Sequence, residues 1–252
     1  MKCLDLFCGD GGAAIGLSRA FPDAEIVGVD IDDHSKGYPF TFVQADAMTF
    51  PLDGYDLIWA SPPCQGYSVM RHLPWNSHKT YPLLIAPTLE RLRAQPAPFI
   101  LENVMGARSE LPNALWLCGT MFGKRFYRHR LFETNFAWFQ PLHPGHAHAR
   151  SHGRMLGGRA SVTSSGTLFS EPLKRGGLAA RQQAASDRGD VLAVGHSGKR
   201  SGTMVVDDHA PKSMIDAARA EMDLPNMSAK GLSQAIPPAY SEYLAQFVPV
   251  AA

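Results

Sequence analysis

Apolar residues in the first 140 positions come in two alternating rhythms. Short apolar runs at Lys2–Phe7, Glu25–Asp30, Phe40–Gln44, Tyr55–Ala60 and Pro98–Leu101 predict strands. Between them, Ala13–Ala20 has helical composition, and Leu83–Ala94 places its apolar residues at helical spacing. Strands alternating with helices predict an α/β fold, a parallel sheet with helices on both faces. Such sheets bind ligands beyond the carboxyl ends of their strands. The rhythm is lost from 141 to 212, where turns are frequent and Ser161–Thr167 is small and polar. It returns after Pro211, with helices expected at Ser213–Met222 and Ala239–Phe247. The chain therefore divides at 1–140, 141–212 and 213–252, and no internal repeat is visible.

Composition adds limits. The 252 residues, 45% of them apolar, suffice for one sizeable domain with a small appendage. No apolar run reaches the length of a membrane span, and Lys2 and Asp5 bring charge to the amino terminus at once, so neither anchor nor signal peptide is expected. Cysteines at 3, 8, 64 and 118 lie too far apart for a secreted disulfide framework and form no CxxC pair. A reducing, cytoplasmic setting is expected. The net charge of +1 hides an asymmetry: 141–212 holds ten Lys/Arg against five Asp/Glu, with six of the ten histidines. A basic, glycine-rich segment suits contact with phosphates, and equally suits a solvated insertion.

Four motifs carry chemistry. Asp5-Leu6-Phe7-Cys8-Gly9-Asp10-Gly11-Gly12 follows the first strand, where glycines let a ligand approach backbone at a helix start. It lacks the pattern of a dinucleotide fold or a phosphate-binding loop. Asp30 and Asp46, at the next two strand ends, could accept hydrogen bonds from a ribose and from an adenine amine. Ser61-Pro62-Pro63-Cys64-Gln65 stiffens the backbone ahead of a cysteine just past a strand end, which suits a rigidly aimed nucleophile. Cys3 and Cys118 are expected to be buried small hydrophobes. Glu102, ending an apolar strand, should be partly desolvated with a raised pKa, so that it could donate to a pyrimidine ring nitrogen. The run Lys124–Arg130 holds four Lys/Arg and two aromatics, with Arg128 and Arg130 on one face if it is a strand.

These pieces in this order resemble the DNA cytosine-5 methyltransferase family, most closely its short phage or prophage members. The resemblance rests on Phe7–Gly12, Val29-Asp30-Ile31-Asp32, Pro62-Pro63-Cys64-Gln65, Glu102-Asn103-Val104, Arg128-His129-Arg130 and Gln234-Ala235-Ile236-Pro237-Pro238. It covers about 3–136 and resumes near 226–247. It implies a Rossmann-like methyltransferase sheet using S-adenosylmethionine, with 1–140 as catalytic domain, 141–212 as a small irregular target-recognition lobe, and 213–252 returning to the catalytic domain. The implied chemistry flips the target cytosine out of double-stranded DNA and adds Cys64 to its C6. Glu102 holds the base, Arg130 orients it, and Arg128 steadies the wall.

By the same resemblance, Phe7 stacks on adenine, and Cys8, Gly9 and Gly11 line the methionine end. Asp30 takes the ribose, Ile31 and Asp46 meet the adenine, Ala47 and Pro62 complete the pocket, and Gln234 and Ala235 reach the amino-acid end. Gln65, Ser68 and Arg71 belong to a loop closing over DNA, and Arg154, Arg159, Lys174 and Arg175 supply basic contacts. No metal is expected, and the protein is expected to act as a monomer. The chain departs from the family at Phe126, where a glutamine is usual, and at Ser233-Gln234, where Gly-Asn is usual. An RNA cytosine methyltransferase, an idle DNA-binding derivative of the fold, and a zinc module using His143, His146, His148 and Cys118 are the alternatives.

Overall fold

The computed structural model describes residues 1–68, 80–144, 161–162, 168–169 and 212–249. The chain forms two compact units. The first comprises Met1–Leu117, His129–Pro141 and Ala235–Ala252, and the second Cys118–Arg128 and Leu142–Gln234. The second unit thus gathers segments from either side of 141–212 as well as that stretch itself.

The first unit is built on a seven-stranded sheet. Its strands are β1 (Lys2–Leu6), β2 (Glu25–Asp30), β3 (Thr41–Gln44), β4 (Leu57–Ala60), β5 (Phe99–Val104), β6 (Leu115–Leu117) and β7 (Arg130–Thr134). Their spatial order is β3-β2-β1-β4-β5-β7-β6. The five expected strands are present and parallel to their neighbours. To these, β7 adds a strand that runs antiparallel to both β5 and β6, so the sheet is mixed. Leu131, Phe132 and Glu133 of β7 are all buried, so the strand has no polar alternation to reveal it.

Helices α1 (Gly12–Ala20) and α2 (Ile85–Arg93) lie where helical composition and spacing place them. α2 sets Ile85, Leu89 and Leu92 into one sheet face, against Leu4, Leu6, Val27, Val29, Ile58, Phe99 and Leu101. The opposite face carries Trp59 and Phe132, whose ring centroids are 5.9 Å apart. Phe132 in turn meets Tyr240, 6.0 Å away. The helices thus cover both faces. The helix bearing Tyr240 (Pro238–Ala245) docks on α1 through glycine. A Cβ on Gly16 would come within 2.1 Å of Pro238 O and Ser241 Oγ, while Ser241 Oγ donates to Ala13 O at 2.8 Å.

In the second unit, Ser161–Val162 and Leu168–Phe169 pair antiparallel as β8 and β9. Helix α3 spans Lys212–Met222 and α4 spans Ala229–Gln234, so the Pro238–Ala245 helix is α5. Lys124 Nζ meets Asp223 Oδ2 at 2.7 Å, and Arg125 N donates to Glu221 Oε2 at 2.8 Å. Phe126, the family departure, is fully buried, and a Cβ on Gly119 would lie 2.6 Å from its ring. No helix among the described residues is long and apolar enough to cross a membrane.

Candidate active site

Strand register lines up the carboxyl edge. Val29, Leu6, Ala60 and Leu101 pair in one row across β2, β1, β4 and β5. One residue beyond that row stand Asp30, Phe7, Ser61 and Glu102. Successive strands lie about 4.8 Å apart, so Asp30 and Glu102 bracket an edge roughly 14 Å wide.

At one end of this edge the glycine turn is tightly wound. Phe7 (φ 57°), Gly9 (φ 50°) and Gly11 (φ 82°) all take left-handed backbone, uncommon for the non-glycine Phe7. Asp30 Oδ2 accepts from Gly9 N at 3.0 Å, and Asp30 Oδ1 from Asp32 N at 3.1 Å. One carboxylate therefore fixes both the glycine turn and the start of the next loop. A side chain at Gly9 would meet nothing within 4 Å, so its backbone lies beside open space. Ile31, 68% exposed, presents an apolar surface next to Asp30. Asp46 is exposed and accepts from Met48 N at 2.8 Å, and Ala47 is buried beneath it. Ala235 and Ile236 press on Gly12, whose added Cβ would come within 2.4 Å of Ile236 O. Open space, a sheltered backbone turn, two carboxylates and an exposed apolar side chain fit an adenosine-bearing ligand.

Behind the turn lies a buried acidic knot without a sequence signal. Tyr38 OH donates to the fully buried Asp5 at 3.2 Å. The Tyr38 ring fills the place of a Gly28 side chain, 2.2 Å from an added Cβ, and with Pro39 crowds Gly11. Burial holds the Asp5 carboxyl well above its ordinary range, with the Asp30 charge adding and the Tyr38 bond opposing. Burial likewise pushes the Cys8 thiol up, and its Sγ donates to Gly9 O. Cys3 is raised to about 12 for the same reason.

At the other end, none of the four cysteines is in a disulfide, and Cys64 alone is not buried. Cys3 and Cys118 are buried as expected. The Cys64 carbonyl accepts from Tyr67 N at 3.0 Å and Ser68 N at 2.9 Å, closing a turn with Gln65 exposed upon it. Asn103 Nδ2 donates to Pro62 O at 2.8 Å, tying the buried Pro62 to β5. Tyr67 is held from two sides: its OH accepts from Ile85 N at 3.1 Å, and Gly106 packs so closely that an added Cβ would lie 2.2 Å from Tyr67 O. Glu102 is 5% exposed, and Arg130 Nε lies 3.0 Å from its Oε1.

Sequence reasoning missed Tyr38, Tyr67 and Arg91, and quoted Asn103 without its partner, since their contacts span 18 to 44 residues. Only Arg130 lies on β7, so Arg128 and Arg130 do not share a strand face. Arg128 and Gln234 belong to the second unit. There Arg128, 2% exposed, donates from Nη2 to Ser233 O at 2.8 Å, and Ser233 Oγ donates to Lys230 O at 2.7 Å. Gln234 is exposed at the end of α4. Arg71, Arg154, Arg159, Lys174, Arg175, His146 and His148 lie outside the described residues.

Residues 1–114, which include the glycine turn, Cys64 and Glu102, match the family model described as C-5 cytosine-specific DNA methylase. Over almost its whole length the chain shares its fold with two solved structures. One is the Dnmt2 methyltransferase of S. pombe, at 15% identity and TM-score 0.52 over 98% of each chain. The other is the methyltransferase EhMeth of Entamoeba histolytica, at 13% identity and TM-score 0.52 over 98% of this chain and 97% of that one. No curated protein matches the chain by sequence.

Proposed function

We propose that the protein is a DNA cytosine-5 methyltransferase that uses S-adenosylmethionine. The observation that carries this reading is the tie between Pro62 and Asn103, which fixes the one cysteine that is not buried beside the strand bearing Glu102. Bound S-adenosylmethionine supplies an electrophilic methyl group on a sulfonium. Phe7, Cys8, Gly9, Gly11, Asp30, Ile31, Asp46, Ala47, Pro62 and Ala235 would hold it.

The target cytosine leaves the duplex, because its C6 is shielded within the stack. Cys64 thiolate adds to C6, while Glu102 holds N3 and the exocyclic amine. Arg130, its Nε 3.0 Å from Glu102 Oε1, keeps that carboxyl turned to the base, and Arg128 steadies its own wall. With sulfur bonded at C6, C5 is nucleophilic enough to take the methyl group that the bound sulfonium would give up, leaving S-adenosylhomocysteine. Water would then take the C5 proton, and expulsion of the Cys64 thiolate would restore the ring. Gln65, Ser68 and Arg71 close over the DNA, while Arg154, Arg159, Lys174 and Arg175 of the 141–212 target-recognition lobe neutralise phosphates.

The test is transfer of labelled methyl from S-adenosylmethionine to duplex DNA and to RNA, with Cys64→Ala alongside. Label in DNA from the native protein, and none from the variant, is expected. Label in RNA alone overturns the choice of polymer. Unchanged turnover by Cys64→Ala overturns the mechanism. A duplex carrying 5-fluorocytosine should trap a covalent adduct visible by mass spectrometry, because fluorine cannot leave as the C5 proton does.

A further inference from the structure

We infer that Arg91 is a positioning residue that shapes the adenine end of the cofactor pocket by clamping the turn that carries Asp46. This rests on the reading of an adenosine cofactor at the carboxyl edge. After β3 the chain makes a single helical turn started by Asp46. Asp46 Oδ1 accepts from Met48 N at 2.8 Å, and Asp46 O from Thr49 N at 3.1 Å and Phe50 N at 3.0 Å. The turn stops at Pro51, which has no N–H to continue it. Its last carbonyls therefore need donors from elsewhere.

Arg91, in the last turn of α2, supplies two. Its Nη1 donates to Ala47 O and its Nη2 to Phe50 O, each at 2.7 Å. A guanidinium suits this task because its fork of fixed N–H groups holds two acceptors at once. One turn earlier on the same helix, Thr88 Oγ1 donates to Met48 Sδ at 3.3 Å. α2 is itself anchored in the core through Ile85, Leu89 and Leu92. The Asp46 turn is therefore held by a rigid element 41 to 44 residues away in sequence, and not by its short neighbours alone.

If Asp46 reads the adenine amine, the clamp governs purine discrimination more than binding of the rest of the cofactor. Titration calorimetry should compare S-adenosylhomocysteine with S-inosylhomocysteine, which lacks that amine, on native protein, Arg91→Met and Arg91→Lys. The native protein should prefer the adenosyl ligand. Arg91→Met should weaken that ligand by about tenfold and leave the inosyl ligand within about twofold, as expected for loss of two charge-assisted bonds that aim one acceptor. Arg91→Lys, with one point-like donor group, should recover part of the preference. In the ligand-free protein, hydrogen exchange at the Thr49 and Phe50 amides should quicken in Arg91→Met. An equal loss for both ligands, or no loss, would overturn the positioning role and leave Arg91 as a stabilising contact. A native protein that binds both ligands without preference would overturn it as well. A native protein that binds neither would instead overturn the cofactor reading beneath it.

Discussion

Arg130 and Glu102 form a diagonal pair on one face of the sheet. Arg130 stands opposite Val104 in the β5–β7 ladder, two residues on from Glu102, and its Nε reaches Glu102 Oε1 at 3.0 Å. Both side chains are largely withdrawn from water, at 17% and 6% exposure. Breaking such a pair from one side leaves a charge unmatched, which costs about 3 kcal/mol. Arg130→Ala should therefore lose both stability, by urea unfolding, and methyl transfer. The double substitution Glu102→Gln with Arg130→Met should recover most of the stability and none of the turnover. Equal recovery of both would mean that the pair is structural only.

Cys64 is the one cysteine of the four that is not buried. A thiol reagent on the native protein should label one site quickly, and Cys64→Ser should remove that label. The Asn103 side chain holds the approach to this thiol by donating to Pro62 O at 2.8 Å and accepting from Val104 N at 2.9 Å. Asn103→Ala should cost about 1–2 kcal/mol in stability by unmaking buried bonds. It should also lower kcat at least tenfold with little change in cofactor affinity. Labelling of several cysteines in the folded protein would contradict the first expectation. An unchanged kcat would contradict the second.

Much of this arrangement was legible in the chain, and the reason is local. Strands β1 to β5 are short apolar runs bounded by turns, and the residues quoted for the glycine turn, Asp30, Cys64 and Glu102 sit at their carboxyl ends, where parallel order brings them together. What could not be read depends on distant partners. β6 has three residues, and β7 begins in a basic run and is then buried on both faces, so the reversed strand that brings Arg130 to Glu102 left no alternating pattern. Tyr38 reads as a loop aromatic until the fold sets its hydroxyl on Asp5, 33 positions earlier. Arg91 and Arg93 stand two apart on α2 and so face different ways, Arg93 to Glu133 and Arg91 to the Asp46 turn, a partner that only the fold supplies.

Gly106 tests whether the Cys64 turn must sit where it does. A Cβ there would lie 2.2 Å from Tyr67 O, a backbone atom that can yield only if the whole turn shifts. Gly106→Ala should reduce kcat more than tenfold if Cys64 is the proposed nucleophile, because such a group needs sub-ångström placement. Gly123→Ala is the natural comparison. It also strains backbone, at φ 67°, but its Cβ would meet nothing within 4 Å, so it should cost about 1 kcal/mol and leave kcat alone. Similar activity in the two variants would show that the Tyr67 contact does not aim Cys64.

Asp5 offers a test through pH. Its carboxyl is fully buried, and its folded pKa lies well above the ordinary 3.8. A group raised in this way contributes its full stability below the unfolded pKa and loses it as pH climbs towards the folded value. From about pH 4 upwards the unfolded chain ionises Asp5 and the folded chain resists, so native stability should fall by up to about 1.4 kcal/mol per pH unit from this group. Asp5→Asn keeps an acceptor for Tyr38 OH and cannot ionise. Subtracting the two unfolding free energies, measured in urea from about pH 4 to pH 8, isolates the contribution of Asp5. The difference should move steadily in favour of the asparagine variant as pH rises, because the variant no longer has a carboxylate whose burial the fold opposes. A difference that stays flat over that span would mean that Asp5 is charged in the folded protein, and that the knot behind the glycine turn is held as an ion and not as a neutral hydrogen bond.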